Sequence, residues 1–257
     1  MEILFIVLLI VIICLALLFS ATSGTEEKKK IHAQEKGRLG ERRVQGIHDW
    51  NLGADYHDFD DVLLKLPNGE STQIDHIVIS IYGVFVVETK NKSGWIFAQE
   101  RERQWTQTFP NGKKYRFQNP LHQNYKHCQA IADLLAIPRE KIHSAVVFIG
   151  DAEFKTDIPN QVYCGKSAYA ALYEQKKEIL FEEKEIPSLI ARLQHARLEN
   201  NADNLQQHIE QLHRTPRCPK CGAKMLEITA KKGEFTGQYF YGCSRFPHCR
   251  HTQPISQ

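Results

Sequence analysis

Ser71 to Lys90 reads STQIDHIVISIYGVFVVETK, and the fold turns on this stretch. Ser71 to Ser80 is rich in β-branched residues, Tyr82-Gly83 makes a turn, and Val84-Phe85-Val86-Val87 then runs without a polar side chain up to Glu88. A strand that is apolar on both faces belongs in the middle of a covered sheet. The short turn folds the two strands antiparallel. Residues two apart share a face of a strand, so Glu88 and Lys90 converge at the end of a buried element. Asp75 lies thirteen positions before Glu88 on the preceding strand, and antiparallel pairing brings it near. Two carboxylates that close repel each other unless a cation sits between them. A hard divalent ion, Mg2+ or Mn2+, takes such oxygen ligands and keeps several waters. Lys90 would then orient or deprotonate a metal-bound water for attack on a phosphodiester.

Outward from this hairpin, residues 32–48 have helical spacing, with Leu39, Val44 and Ile47 as the apolar stripe and Glu41 as a candidate further ligand. Val62 to Leu66 reads as a strand before the Pro67-Asn68-Gly69 turn; Trp95–Gln99 and Gln104–Thr108 read as further strands. Pro120 opens a helix that reaches Ala136, because proline suits the first helical turn. Ser144 to Ile149 is a buried-looking strand, Gln161 to Cys164 a short one, and 166–177 a helix. The polar stretch 186–212 reads as helix broken near Asn200-Asn201. These elements predict an α/β (α+β) domain over 35–180, with a mixed sheet flanked by helices, and a helical linker over 181–213. Asp58, Asp60 and Asp61 read as a solvated loop, and His76 as a packing residue on the face opposite Asp75. Cys128, beside His127, is no nucleophile, since adjacent helical residues diverge. No glycine-rich phosphate loop is present, so no nucleotide cofactor is expected.

The first residues are of another kind. Ile3 to Phe19 is 17 consecutive apolar residues, spanning ~26 Å as a helix. A cleaved signal peptide would start with a basic region, whereas Glu2 is acidic. A buried core helix does not suit an all-apolar terminus. A single-pass membrane anchor over 3–21, followed by a polar linker over 22–34, fits best. Lys28, Lys29, Lys30, Lys36 and Arg38 follow it, so the positive-inside rule puts the N-terminus outside and the bulk in the cytoplasm, at the cell (inner) membrane.

At the other end, Cys218-Pro219-Lys220-Cys221 is followed by Cys243 and Cys249. A C-x2-C knuckle and a second pair about twenty residues later complete a tetrahedron for structural zinc. A forty-residue piece builds little core, so metal explains how it folds. From Arg214 onward there are eight Lys/Arg against two acidic residues, while the rest of the chain has 25 against 28. The near-neutral whole therefore hides a basic tail. Tyr239, Phe240, Tyr241 and Phe246, with Arg245, form the basic and aromatic set that stacks and neutralises single-stranded DNA. One or two of these rings are expected to serve as the module's own small core.

Two resemblances follow from these residues. The run CPKCGAKM, then FYGCSRFPHC, resembles the four-cysteine zinc finger at the C-terminal end of type IA DNA topoisomerases. That resemblance implies a zinc ribbon over 214–257 that binds single-stranded DNA. GRLGERRV, TQIDHIVI, YGVFVVETKN and NPLHQ, with Gly94 and Trp105, resemble the nuclease-related domain, NERD, over about 36–150. It implies a fold of the PD-(D/E)xK nuclease superfamily, with Asp75, Glu88 and Lys90 at the catalytic motif. Glu41 then matches the acidic residue of the first helix, and Gln73 and Gln123 match further polar positions. Ile74 stands where the superfamily name has proline, which leaves the carboxylate in place. The expectation is a membrane-anchored nuclease-type protein that processes or repairs DNA. The alternative is a binding protein that does not cleave. The chain is too short for a topoisomerase that passes strands.

Overall fold

A computed structural model describes residue 28 and residues 31–66, 71–214, 216–230 and 239–254. The expected anchor over 3–21, residues 22–27 and 29–30 of the linker after it, and the turn at 67–69 lie outside the described residues. Among the described residues no helix is long and apolar enough to cross a membrane.

The apolar hairpin is the centre of a five-stranded sheet in the order β1-β2-β3-β7-β9. Here β1 is Tyr56–Lys65, β2 Ser71–Ser80, β3 Gly83–Lys90, β7 Ile142–Phe148 and β9 Val162–Cys164. β1, β2 and β3 pair antiparallel, while β3, β7 and β9 are parallel. Every residue of β3 except Lys90 is buried, because helices cover both faces. Val84, Val86, Ile77 and Ile79 pack on one side against α2 (Pro120–Leu135) and α4 (Ile186–Ala196). Val78, Phe85 and Val87 pack on the other against α1 (31–51) and α3 (Gly165–Gln175). Gly83 makes the turn at a φ of 128°, where a side chain would strike His143.

A second sheet has the order β6-β5-β4-β8, with β4 Gly94–Phe97, β5 Gln104–Thr108, β6 Lys114–Gln118 and β8 Ala152–Phe154. Its core of Ile96, Ala98 and Trp105 meets Val146, Phe148 and Val162 of the main sheet. A third sheet, β10-β11-β12 (Met225–Thr229, Tyr239–Cys243, Thr252–Pro254), builds the C-terminal ribbon.

Several expectations change. Leu39 is exposed, and Gly40 takes its place on the packed stripe with Val44, Ile47 and His48. α1 is helical through residues 31–34, which the sequence assigned to a linker. The stretch 181–213 is more than a linker. α4 buries Ile186, Leu189 and Leu193 in the main core, and α5 (Ala202–Arg214) joins β2 where Ser71 Oγ meets His208 Nδ1 at 2.7 Å. The polar run Tyr56 to Asp61 is strand rather than loop, because its partner β2 supplies the apolar contacts it lacks. β6 and β8 are polar or short, and nothing in their pattern marked them.

Candidate functional site

The β2–β3 ladder stops at His76 and Val87. Beyond that pair the strands part, and the Asp75 carboxylate fills the gap, accepting the Thr89 N–H at 2.6 Å. Asp61 stands opposite Asp75 on the other neighbour, β1; the ladder skips this pair and Asp61 takes a φ of 45°. Alternation then puts Asp75, Glu88 and Lys90 on the face covered by α2. The Lys90 ammonium donates to Glu88 Oε1, and more weakly to Gln123 Oε1 of α2 at 3.5 Å. Glu88 is 2% exposed, and its other oxygen, Oε2, has no hydrogen-bond partner.

The NPLHQ run explains how α2 reaches this point. Asn119 Oδ1 caps the helix through the Leu121 N–H at 2.9 Å, and its Nδ2 donates to the carbonyls of Glu100 and Glu102. Asn124, fully buried, donates to the Val86 carbonyl and to Ser144 Oγ, both at 2.9 Å, which seats the helix on β3 and β7. Gln123 and His127 then face the carboxylates. His127 Nδ1 lies 3.5 Å from Glu88 Oε2. Sequence reasoning passed over His127; the signal available was its spacing of four from Gln123, one helical turn on the same face. Cys128 is buried in the apolar core, as expected of an inert thiol.

Glu41 arrives on α1. The Asn91 side chain donates to the Lys36 carbonyl at 2.7 Å, and Lys36 Nζ reaches Ser93 Oγ at 3.2 Å. These bonds hold α1 across the end of β3. Gly40 permits the approach, since a Cβ there would stand 2.7 Å from Asn91 Cβ.

The electrostatics follow from acids crowded out of water. Burial, then Glu88, pushes Asp75 up from 3.8 to about 7, against Lys90 and the Thr89 N–H. Burial, then Asp75 and Asp61, raises Glu41 from 4.5 to about 7. Burial also raises Glu88, although Lys90 opposes it. For Lys90 burial acts downward, but Glu88 and Asp75 outweigh it and the ammonium is held. Burial, then Lys90, lowers His127 to about 4, so it stands neutral at pH 7. Three carboxylates share one ammonium, and the buried Glu88 Oε2 makes no hydrogen bond, with only the neutral His127 ring near it. A divalent cation fits this donor set, which consists of oxygens and a neutral imidazole.

Of the acidic residues read as solvated, Asp60 is exposed, whereas Asp58 and Asp61 are paired. Asp58 pairs with His48 Nδ1 at 2.7 Å, and Asp61 accepts from Gln73 Nε2 at 2.5 Å. Gln73 therefore steadies β1 beside the site.

In the ribbon, Cys218, Cys221, Cys243 and Cys249 gather with all sulfurs within 4.8 Å of one another. Cys221 and Cys243 sulfurs are 3.1 Å apart, and those of Cys218 and Cys249 3.8 Å. Thiolates ~2.3 Å from a tetrahedral zinc stand ~3.8 Å apart, the Cys218–Cys249 spacing, while Cys221 and Cys243 lie closer. Gly222, at a φ of 68°, donates to the Cys218 carbonyl at 2.6 Å and closes the knuckle. The wider C-x5-C pair closes through a turn in which Cys249 N donates to Arg245 O at 3.0 Å. Of the expected stacking residues, Phe246 is 71% exposed, Tyr241 packs against the thiol cluster, and Phe240 is half-buried. The Tyr239 side chain lies outside the described residues. Arg245 is exposed and lines a groove of about 780 Å³ between ribbon and second sheet, with Arg101, Arg103, Arg116 and Lys220. Arg103 donates to the Cys221 carbonyl across it.

Residues 36–149 match the nuclease-related domain family. This part of the chain is a nuclease-related domain. Residues 216–257 match the topoisomerase DNA binding C4 zinc finger, so the nuclease-related domain and the finger occupy separate segments. The main sheet with its flanking helices is an α+β architecture that fits a nuclease-like domain. An uncharacterized protein of Bacillus anthracis is 46% identical over 107 residues, which cover 42% of this chain and 50% of that protein. The DNA topoisomerase 1 of Methanocaldococcus jannaschii is 50% identical over 40 residues, or 16% of this chain and 5% of the topoisomerase. The chain thus spans half of the first relative's length and a small part of the second's. No solved structure matches it.

Proposed function

We propose that the chain is a membrane-anchored, cytoplasm-facing protein in which a zinc-bound ribbon holds single-stranded DNA and the nuclease-related domain hydrolyses a phosphodiester. The observation that carries the catalytic part is the buried Glu88–Lys90 pair beside Asp75, with one Glu88 oxygen making no hydrogen bond. Asp75 and Glu88, with Glu41 from α1, would hold Mg2+ or Mn2+. Bound there, the ion supplies Lewis-acid activation of water and phosphate. Lys90 would orient the attacking water, with Gln123 Oε1 at 3.5 Å as a second, weaker acceptor for its ammonium. His127 is held neutral beside Glu88 by burial and by Lys90, which suits its Nδ1 to be a further ligand of the ion. The anchor rests on the apolar run Ile3 to Phe19 and the basic residues after it.

The ribbon reading rests on the exposed Phe246 ring and on the arginine-lined groove beside it. That groove has none of Asp75, Glu88 or Lys90 in its walls, which favours a second reading, a binding protein that does not cleave. One assay separates the two. Purified protein is incubated with single- and double-stranded DNA and Mg2+ or Mn2+, beside Lys90→Ala. Cleavage lost in the variant supports hydrolysis; equal affinity with no cleavage in either protein overturns it and leaves the binding reading.

A further inference from the structure

On the face of the sheet opposite Asp75, three ligating side chains meet in the core. His48 comes from α1, Asp58 from β1 and His76 from β2, and their donor atoms all lie within 4.8 Å of one another. His48 is 2% and His76 1% exposed. The two rings meet edge to face, with centroids 5.1 Å apart. Both ring nitrogens of His76 and Oδ1 of Asp58 are buried without a well-formed hydrogen bond, the Glu41 backbone giving the His76 ring only a weak contact. An unsatisfied buried polar atom costs ~1–3 kcal/mol. Here one ligand atom of His76 and one of Asp58 share a small space with His48.

A proton on His48 Nδ1 would satisfy the 2.7 Å contact to Asp58 Oδ2, but it leaves His76 and Asp58 Oδ1 without a well-formed bond. The surroundings are built for another arrangement. His48 Nε2 lies 2.6 Å from the Tyr169 hydroxyl, which itself lies 2.6 Å from the Tyr173 hydroxyl. A ligating histidine characteristically donates its second ring N–H to such a neighbour, which fixes the tautomer and frees the other nitrogen for metal.

We infer that His48, Asp58 and His76 bind a Zn2+-class ion, separate from both the cysteine cluster and the acidic site. Two imidazoles and one carboxylate are a borderline-soft donor set, suited to zinc rather than magnesium. The site joins α1 to β1 and β2, and the reason for its place is visible in the chain. His48 and Glu41 are seven residues apart, two turns along one helical face. His76 and Asp75 are adjacent, on opposite faces of β2. An ion at the first site therefore fixes the helix and the strand that deliver two acids to the second. The assignment stands on these buried groups alone and holds whether or not the acidic site cleaves DNA.

The test uses Co2+, whose visible spectrum reports its ligands, in the full chain carrying Cys218→Ser and Cys221→Ser. With Glu88→Gln also in the chain to remove the acidic site, and Cys243→Ser and Cys249→Ser to remove the remaining ribbon thiols, the expected result is one Co2+ per chain with nitrogen and oxygen ligand-field bands and no thiolate charge transfer. Adding His76→Gln or Asp58→Asn weakens binding at least ~10-fold; the second keeps the shape of the carboxyl and its contact with His48, so it controls for folding, which circular dichroism checks. No Co2+ spectrum in the parent, or one that survives His76→Gln, overturns the site and leaves a hydrogen-bonded His48–Asp58 pair.

Discussion

Lys90 shows how much a single side chain can carry in a low-dielectric place. Its ammonium is the cation nearest Glu88, and Glu88 is almost wholly enclosed. Lys90→Met should therefore destabilise the protein by ~3–5 kcal/mol in denaturant melts, since removing one partner leaves a buried charge uncompensated. Glu88→Gln in the same chain should recover most of that loss. Cleavage should fall by ~10²-fold or more with either single change. The titrations give a second test. Asp75 and Glu41 are held up near 7, so the native state keeps their protons more tightly than the unfolded chain. Their contribution is full below pH ~4 and is lost as pH rises through 7. His76 and His127, lowered from 6.5 to about 4, act in the opposite sense between pH 4 and 6.5. Melting temperature without metal should thus be nearly flat to pH 6.5 and fall from there to pH 8. Mg2+ should restore it at pH 8 and do little at pH 5.5; an equal rise at both values would mean that the ion sits elsewhere. On the ribbon the rings divide. Phe246→Ala should weaken single-strand binding by ~1–3 kcal/mol. Tyr241→Ala should instead loosen the ribbon, measured as easier loss of zinc to chelator.

At the scale of the element, the site depends on where helices touch the sheet. α1 reaches the end of β3 only because Gly40 has no side chain. Gly40→Ala should push the helix from Asn91, lower cleavage by withdrawing Glu41, and leave the ribbon's DNA affinity unchanged in the same preparation. α2 is located differently, by Asn119 capping its start and by Asn124 bonded to β3 and β7. Much of this was legible in the sequence. The apolar run Val84 to Val87 marked β3 because only a doubly covered strand can dispense with a polar face. Tyr56 to Asp61 was not legible, since its charges are satisfied by His48 and Gln73, residues distant in sequence or on another strand. Leu39 and Gly40 exchanged roles for a related reason: periodicity finds the apolar stripe, but not the point where two backbones approach.

For the whole molecule, the basic groove between second sheet and ribbon is the feature that joins the two matched segments. Arg103 bonds the Cys221 carbonyl across it, and Arg116 and Arg245 line opposite walls. If a single strand lies there, replacing Arg116 and Arg245 by alanine should reduce the slope of log affinity against log salt by ~0.7 for each phosphate no longer neutralised. A slope unchanged in the double variant would place the strand on another surface.

The chemistry was written in the order of the residues. C-x2-C with a later pair, an acid before an apolar strand, and E-x-K at its end each carry their meaning in local spacing, because knuckles and strand faces are local geometry. What only the tertiary structure decided is which distant groups share a space without water. It set His127 beside Glu88, turned Asp58 from a solvated acid into the partner of His48, and enclosed His76 with neither nitrogen in a well-formed bond. Burial and the approach of separate elements fix those relations, and neither is a property of any short stretch of chain.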